Sequence, residues 1–531
     1  DGIFWRDPAA FTDGTQLIIN EYLNASSKAW ERMVDALAAV CTKPKHPYHA
    51  KRLYDFLARH SMPDRDLQWT EYLRRKYASP TIHRLLTWAQ KLNVAHMTQG
   101  SATELVVLLS LVLTTVVRSD RDLATKALVL IGERFPDVLF AHVLTSLEFN
   151  DPYVPERMLA AAYGTTLSLM DSEAAATFRP ALGSLAKNLY RQMFAPRGRH
   201  ATHHTLMRDY ALGVIQLAQR ANCVSLPETA SLHLAPPFPN ARSSFSSDGT
   251  PDESVKQAIG HAIQMDFGNY TIGRLIPNRA NYDEKKPDYV QVRAKIERRM
   301  FDLGYRAERF KEPDSDIGRT SWRARDQEKV DRYGKKYSWI AYFEMWGERE
   351  AVRKLPDWRI GERTSDCGVD PSFPKRPPEW IPPIPDLFGD AHSTTADWVQ
   401  GGFTPNWRPL LFVPEINSHP GGWVLLEGFV RGTDERNDRE LFAFLRGMFV
   451  ARKDVRKLKA KFLSIDYPGN SAIPETPTEH YLYAGEVGRR KNFARHLYQA
   501  NGRYRRQVVE AFDRHVRVST RASAATGAAE I

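Results

Sequence analysis

The feature that most constrains this chain is a succession of apolar stripes at helical spacing through residues 1–225, broken only by two- to four-residue turns. Residues 105–117 form its longest apolar run, about thirteen residues holding Ser110, Thr114 and Thr115. That is short of the ~20 needed to cross a bilayer and predicts a buried helix. A Ser101…Glu104 capping box is expected to open it. Asp120 starts a helix through Gly132, Pro136-Asp137 another to about Asn150, and Asp151-Pro152 a third through Met158 to Tyr163. Turn signals at Asp120 and Asp151, about thirty residues apart, suggest stacked helix pairs of HEAT or armadillo type. Repeat identity is weak, and a non-repetitive helical bundle stays open.

At 531 residues the chain is too long for one core. The expected fold is mostly α: an N-terminal α-solenoid followed by a smaller α+β C-terminal module. The boundaries drawn are 1–225 for the helical repeats and 226–250 for a Pro- and Ser-rich linker. Residues 251–354 form a helical module, with 254–264 helical, 267–275 mixed and 288–303 an amphipathic helix ended by Gly304. Residues 355–409, dense in proline, are read as extended. Residues 410–518 form the basic module: strands at 410–413 and 423–430, a helix at 438–450, strands at 462–467 and 481–486, then a helix or long strand at 503–515. Residues 519–531 are read as a disordered tail.

Cys41, Cys223 and Cys367 lie far apart and support neither a disulfide framework nor a zinc ribbon, which fits a cytoplasmic protein. No signal peptide is visible, and without an initial Met the chain is read as a fragment of a longer protein. No membrane partner is expected. The formal charge is +11, and residues 446–517 carry sixteen Lys or Arg against seven Asp or Glu, an excess of nine. Such a surface suits nucleic acid or acidic proteins, or is simply a solvated face.

The densest chemistry lies in Arg332-Tyr-Gly-Lys-Lys-Tyr-Ser-Trp-Ile-Ala-Tyr342, ahead of a helix-like run to about Glu350. Cations beside aromatic faces suit an anionic partner or a stapled junction. Arg332, Tyr333, Lys335, Lys336 and Tyr337 are therefore candidate partner-binding residues. In the competing structural reading Trp339, Ile340 and Phe343 are core, Tyr333 and Tyr337 pack beside them, and Lys335 and Lys336 cap or snorkel. For nucleic acid the candidates are Lys453, Arg456, Lys457, Lys459, Lys461, Arg489, Arg490, Lys491, Arg503, Arg505 and Arg506.

Catalytic signals are thin. No Walker loop, G-x-S-x-G elbow or H-E-x-x-H pair occurs. His200 and His204 could share a helical face with His203 adjacent, yet solvent-facing or hydrogen-bonded histidines are the commoner outcome. Glu415, Glu427 and Asp266 would be the acids of a magnesium nuclease, but no lysine follows Glu427 in the E-x-K position. No catalytic residue and no metal site are assigned.

Four segments occur here in order: Asn150-Asp-Pro-Tyr-Val-Pro-Glu-Arg-Met-Leu-Ala-Ala-Ala-Tyr-Gly164, His204-Thr-Leu-Met-Arg-Asp-Tyr-Ala211, Arg332-Tyr-Gly-Lys-Lys-Tyr-Ser-Trp-Ile-Ala341 and Val369-Asp-Pro-Ser-Phe-Pro374. Together they resemble, over roughly residues 100–450, the C-terminal half of large bacterial ATP-binding proteins of the STAND (NACHT-like) type, some serving in AVAST anti-phage defence. The resemblance implies a helical sensor for an invader's protein, set behind an effector and a P-loop NTPase. This chain lacks both. ATP would bind an upstream domain, no cofactor is expected here, and oligomerisation would run through the missing domains. The expectation is a non-catalytic recognition scaffold; the alternatives are a nucleic-acid-binding module and a metal-dependent nuclease.

Overall fold

The computed structural model describes residues 2–356 apart from 26, 77, 90–93, 170–174, 264–266, 278–284 and 324–329. It also describes 385–466 apart from 390–393, 402, 417–418, 426, 435–436 and 447–449, and the strand segments 496–499, 506–511 and 515–518. The described chain is mostly helical and forms two compact units, Asp1–Pro374 and Lys375–Ile531. No helix among the described residues is long and apolar enough to cross a membrane.

In the first unit, α1 (Gln99–Val112) carries the long apolar run and buries every residue from Leu105 to Val112. Its cap lies three residues earlier than the sequence suggests: Thr98 Oγ1 accepts from Ser101 N at 3.2 Å. Glu104 is drawn elsewhere. Its Oε2 accepts from Ala50 N at 2.8 Å at the start of the helix Ala50–Ala58, a donor it shares with the Cys41 carbonyl at 2.9 Å. The run continues as α2 (Arg118–Arg134), α3 (Pro136–Ser146), α4 (Tyr153–Leu169), α5 (Ala175–Leu189) and α6 (Thr205–Arg220).

Helix α4 is the hub, with every residue buried, and it packs against both α2 and α6. Glycines permit that approach. A Cβ on Gly132 of α2 would come within 2.5 Å of the Thr165 and Leu139 side chains, and one on Gly213 of α6 within 2.6 Å of the Tyr163 ring. These helices share one hydrophobic core.

A second core gathers around α7 (Pro287–Asp302) and α8 (Tyr333–Ala351), with Ile259, Ile263, Tyr305 and Phe310. Helix α7 ends as its sequence predicts, on Gly304 at φ +91°. Residues 226–250 are not a spacer. Phe238 belongs to the first core, and Asn240 Nδ2 donates to the Phe194 carbonyl at 2.7 Å. The apolar rings among the prolines there are packing groups, which composition alone concealed.

In the second unit β1 (Phe412–Ile416), β2 (His419–Leu425) and β7 (His515–Val518) form an antiparallel sheet in the order β1-β2-β7. A second antiparallel sheet has the order β4-β3-β6-β5. Its strands are β3 (Glu427–Asp434), β4 (Arg439–Arg446), β5 (His496–Gln499) and β6 (Arg506–Ala511). Strand β4 overturns the helix expected over 438–450. It pairs with β3 along its whole length, from Asp434↔Arg439 to Glu427↔Arg446. A long-range ladder decides there against local propensity. The strand expected over 462–467 is also corrected: Phe462 and Leu463 close the helix α9 (Val455–Leu463). The stretches 357–384, 467–495 and 519–531, and with them the expected strand at 481–486 and the tail, lie outside the described residues.

Candidate functional site

The Arg332–Tyr342 segment does not precede a helix; it is the first half of α8. Spacing of three and four puts Tyr333, Lys336, Tyr337 and Ile340 on one face, and all four are fully buried. The helix start is capped from elsewhere. Asp314 accepts from Tyr333 N at 2.5 Å, Gly334 N at 3.2 Å and Tyr305 OH at 3.0 Å, and burial raises its carboxyl above the usual range.

Lys336 is the centre of the site. Its Nζ donates to Asp66 Oδ1 at 2.8 Å, Asp151 Oδ2 at 2.7 Å and the Thr114 carbonyl at 3.0 Å. Three ammonium protons thus meet three acceptors. Asp66 also accepts from Thr70 Oγ1 at 2.9 Å and Tyr337 OH at 3.0 Å, and Asp151 from Tyr153 N at 3.1 Å. Burial raises Asp66 above the usual carboxylate range, while the Lys336 ammonium pulls it back down.

The second cation is Arg65, also fully buried. Its guanidinium lies 4.4 Å from the Phe149 ring centroid, Nη1 donates to Asn150 Oδ1 at 2.6 Å, and Nη2 is 3.9 Å from Asp151. Two carboxylates and two cations therefore balance in a site without solvent. Beside it, Tyr333 OH donates to Glu71 at 2.9 Å, and Arg74 binds both Glu71 oxygens at 2.8 and 2.9 Å. Burial raises both tyrosine hydroxyls. Residues Asp66–Thr70 form a π-helical turn, which aims Asp66 and Thr70 at this junction.

A saturated ammonium sealed from water is neither a nucleophile nor a partner contact. Tyr333, Lys336 and Tyr337, expected to face a partner, are interior groups, and Lys336 neither caps nor snorkels. Trp339 and Phe343 are only partly buried at the edge of the second core. Arg332 is exposed, and Lys335 is part-exposed and paired with Asp331 at 2.7 Å.

The histidines do not converge. His200 Nε2 sits 3.0 Å from Glu148, while His204 is the N-cap of α6, its Nδ1 accepting from Met207 N at 3.5 Å. His204 Nε2 is buried without a hydrogen-bond partner, and burial with the nearby Arg299 charge lowers this imidazole to about 3. No group of three or more His, Cys, Asp or Glu that could hold a metal occurs among the described residues. Glu415 lies in β1 and Glu427 in β3, in different sheets, so they do not form the adjacent-strand pair a nuclease needs; Asp266 lies outside the described residues.

Of the basic candidates, Lys453 and the α9 residues Arg456, Lys457, Lys459 and Lys461 are exposed. Arg506 opens β6. Arg489, Arg490, Lys491, Arg503 and Arg505 lie outside the described residues.

Sequence reasoning missed Arg65, Asp66, Glu71 and Asp151 as partners of α8. A signal existed for Asp151 alone, within the 150–164 segment. Three of the four resemblance segments in fact meet: Asp151 binds Lys336, and the Tyr163 and Tyr210 rings lie 6.1 Å apart, while Arg208 and His204 reach Glu350 and Phe343 further along α8. The fourth, 369–374, lies outside the described residues. No family model, curated protein or solved structure matches the chain.

Proposed function

We propose that this chain is the non-catalytic recognition and scaffold region of a bacterial, cytoplasmic STAND-type defence protein. In this reading the first unit is a HEAT- or armadillo-like solenoid that binds a protein of the invader, followed by a basic α+β module. Effector, nucleotide site and oligomer contacts belong to domains upstream. Bound partner shifts the assembly between inactive and active states through its differential affinity for the two.

The supporting observation is the inward turn of the distinctive residues. Three segments that carry the resemblance interlock through Lys336–Asp151 and Tyr163 against Tyr210, and Arg208 and His204 reach Glu350 and Phe343 further along α8. Residues used that way hold a shape; they perform no chemistry. Nucleic-acid binding, the alternative, rests on cations of which the described and exposed ones cluster beside and on α9.

The test is recovery of partners from phage-infected cells on immobilised full chain, with crosslinks mapped. The expected result is one phage protein crosslinked to the first unit and absent from uninfected cells. Recovery of no specific protein across several phages sinks the reading.

A further inference from the structure

Helix α9 has a composition and an exposure that the recognition reading does not use. None of its nine residues is buried. Val455 is 48% exposed, Phe462 37% and Leu463 78%, with Leu458 between exposed and buried. Between 452 and 463 there are six Lys or Arg to one Asp. At about 100° per residue Val455, Leu458 and Phe462 fall on one side of the helix, while Arg456, Lys457, Lys459 and Lys461 flank and oppose them. A helix this short, with no buried face, is marginal in water. Something that covers it would stabilise it.

We propose that α9 is a peripheral docking element for an anionic lipid surface. Val455, Leu458, Phe462 and Leu463 enter the boundary between headgroups and acyl chains, and the lysines snorkel outward to lipid phosphates and carboxylates. Charge complementarity fixes the sign of the occupant, and the exposed hydrocarbon selects lipid over nucleic acid. A duplex backbone satisfies the cations but leaves Phe462 and Leu463 in water, whereas a bilayer takes both. This contact is reversible and spans nothing. It departs from the expectation of no membrane partner, which rested on the lack of a spanning segment.

The test uses the full chain and sedimentation with phosphatidylcholine vesicles that contain or lack phosphatidylserine. Binding is expected only with phosphatidylserine, and added salt should release it. Lys457→Glu with Lys461→Glu should lower partitioning by at least about thirtyfold. Phe462→Ser with Leu463→Ser should lower it about tenfold with the charge unchanged. Because these side chains are exposed, the thermal melt of the first unit should not move. Equal binding to both vesicle types overturns the proposal. So does full binding by the Phe462→Ser/Leu463→Ser variant, or displacement of the native chain from vesicles by duplex DNA at equal charge; each marks a polyanion site read by charge alone.

Discussion

Lys336 donates to Asp151 at 2.7 Å across 185 residues of chain, and neither side chain touches solvent. Both groups lost water to get there, and the mutual attraction with Asp66 and Arg65 offsets that loss only while the set is complete. Such a cluster fixes which helix meets which more than it adds stability.

Removing one member should therefore cost more than removing a balanced pair. Lys336→Met leaves two carboxylates buried with only Arg65 to offset them and is expected to destabilise the first unit by about 3–5 kcal/mol. Adding Asp66→Asn, which leaves Arg65 opposite Asp151 alone, should recover at least half of that loss. Urea denaturation of the full-length variants reads the difference, and a double variant less stable than the single one contradicts this account.

Acid should weaken the same unit through two buried imidazoles. Burial lowers His142 to about 4, and burial with the nearby Arg299 lowers His204 to about 3, against 6.5 for an unperturbed histidine. Between about 4 and 6.5 the unfolded chain binds protons that the folded chain does not, so stability falls as pH falls and is fully present above 6.5. At pH 5 each group costs about 2 kcal/mol. His204→Asn keeps the helix cap but cannot titrate; its stability should decline less steeply between pH 6.5 and 5, measured by denaturant midpoint.

Two glycines should respond in opposite directions. A Cβ on Gly347 would lie 1.9 Å from the His203 carbonyl oxygen, where α8 meets the turn before α6, while one on Gly318 meets nothing within 4 Å. Gly347→Ala should destabilise by about 1–3 kcal/mol or more, and Gly318→Ala, exposed within the helix Lys311–Arg323, should stabilise by about 0.5–1 kcal/mol. Thermal melts of both variants decide this.

Cysteine labelling should report on the first core. Cys41 is fully buried and its thiol is raised to about 12, whereas Cys223 is only half-buried. In the native protein a maleimide should label Cys223 well before Cys41, and Cys41 should react only at the unfolding transition. Peptide mass mapping distinguishes the two, and early labelling of Cys41 would show that this core opens more readily than its packing implies.

The helices were legible where their signals are local. Pro136 starts α3 and Gly304 ends α7 because a fixed φ and a left-handed residue act within one turn. Legibility stopped where a distant partner decides. The 439–446 stretch is a strand because β3 pairs with all of it, and Glu104 leaves its own helix start for the Ala50 N–H, 54 residues back, which it shares with the Cys41 carbonyl. In the candidate site, Tyr333 and Tyr337 were readable as packing groups from their spacing. The destination of Lys336 was not.

From its sequence alone the chain is bound to be basic, mostly helical and built on more than one core, since charge count and helical periodicity are properties of neighbouring residues. Only the tertiary structure turned Lys336 inward. A lysine can be buried where two aspartates and a carbonyl are already placed to receive its protons, and here those groups come from 185 to 270 residues away.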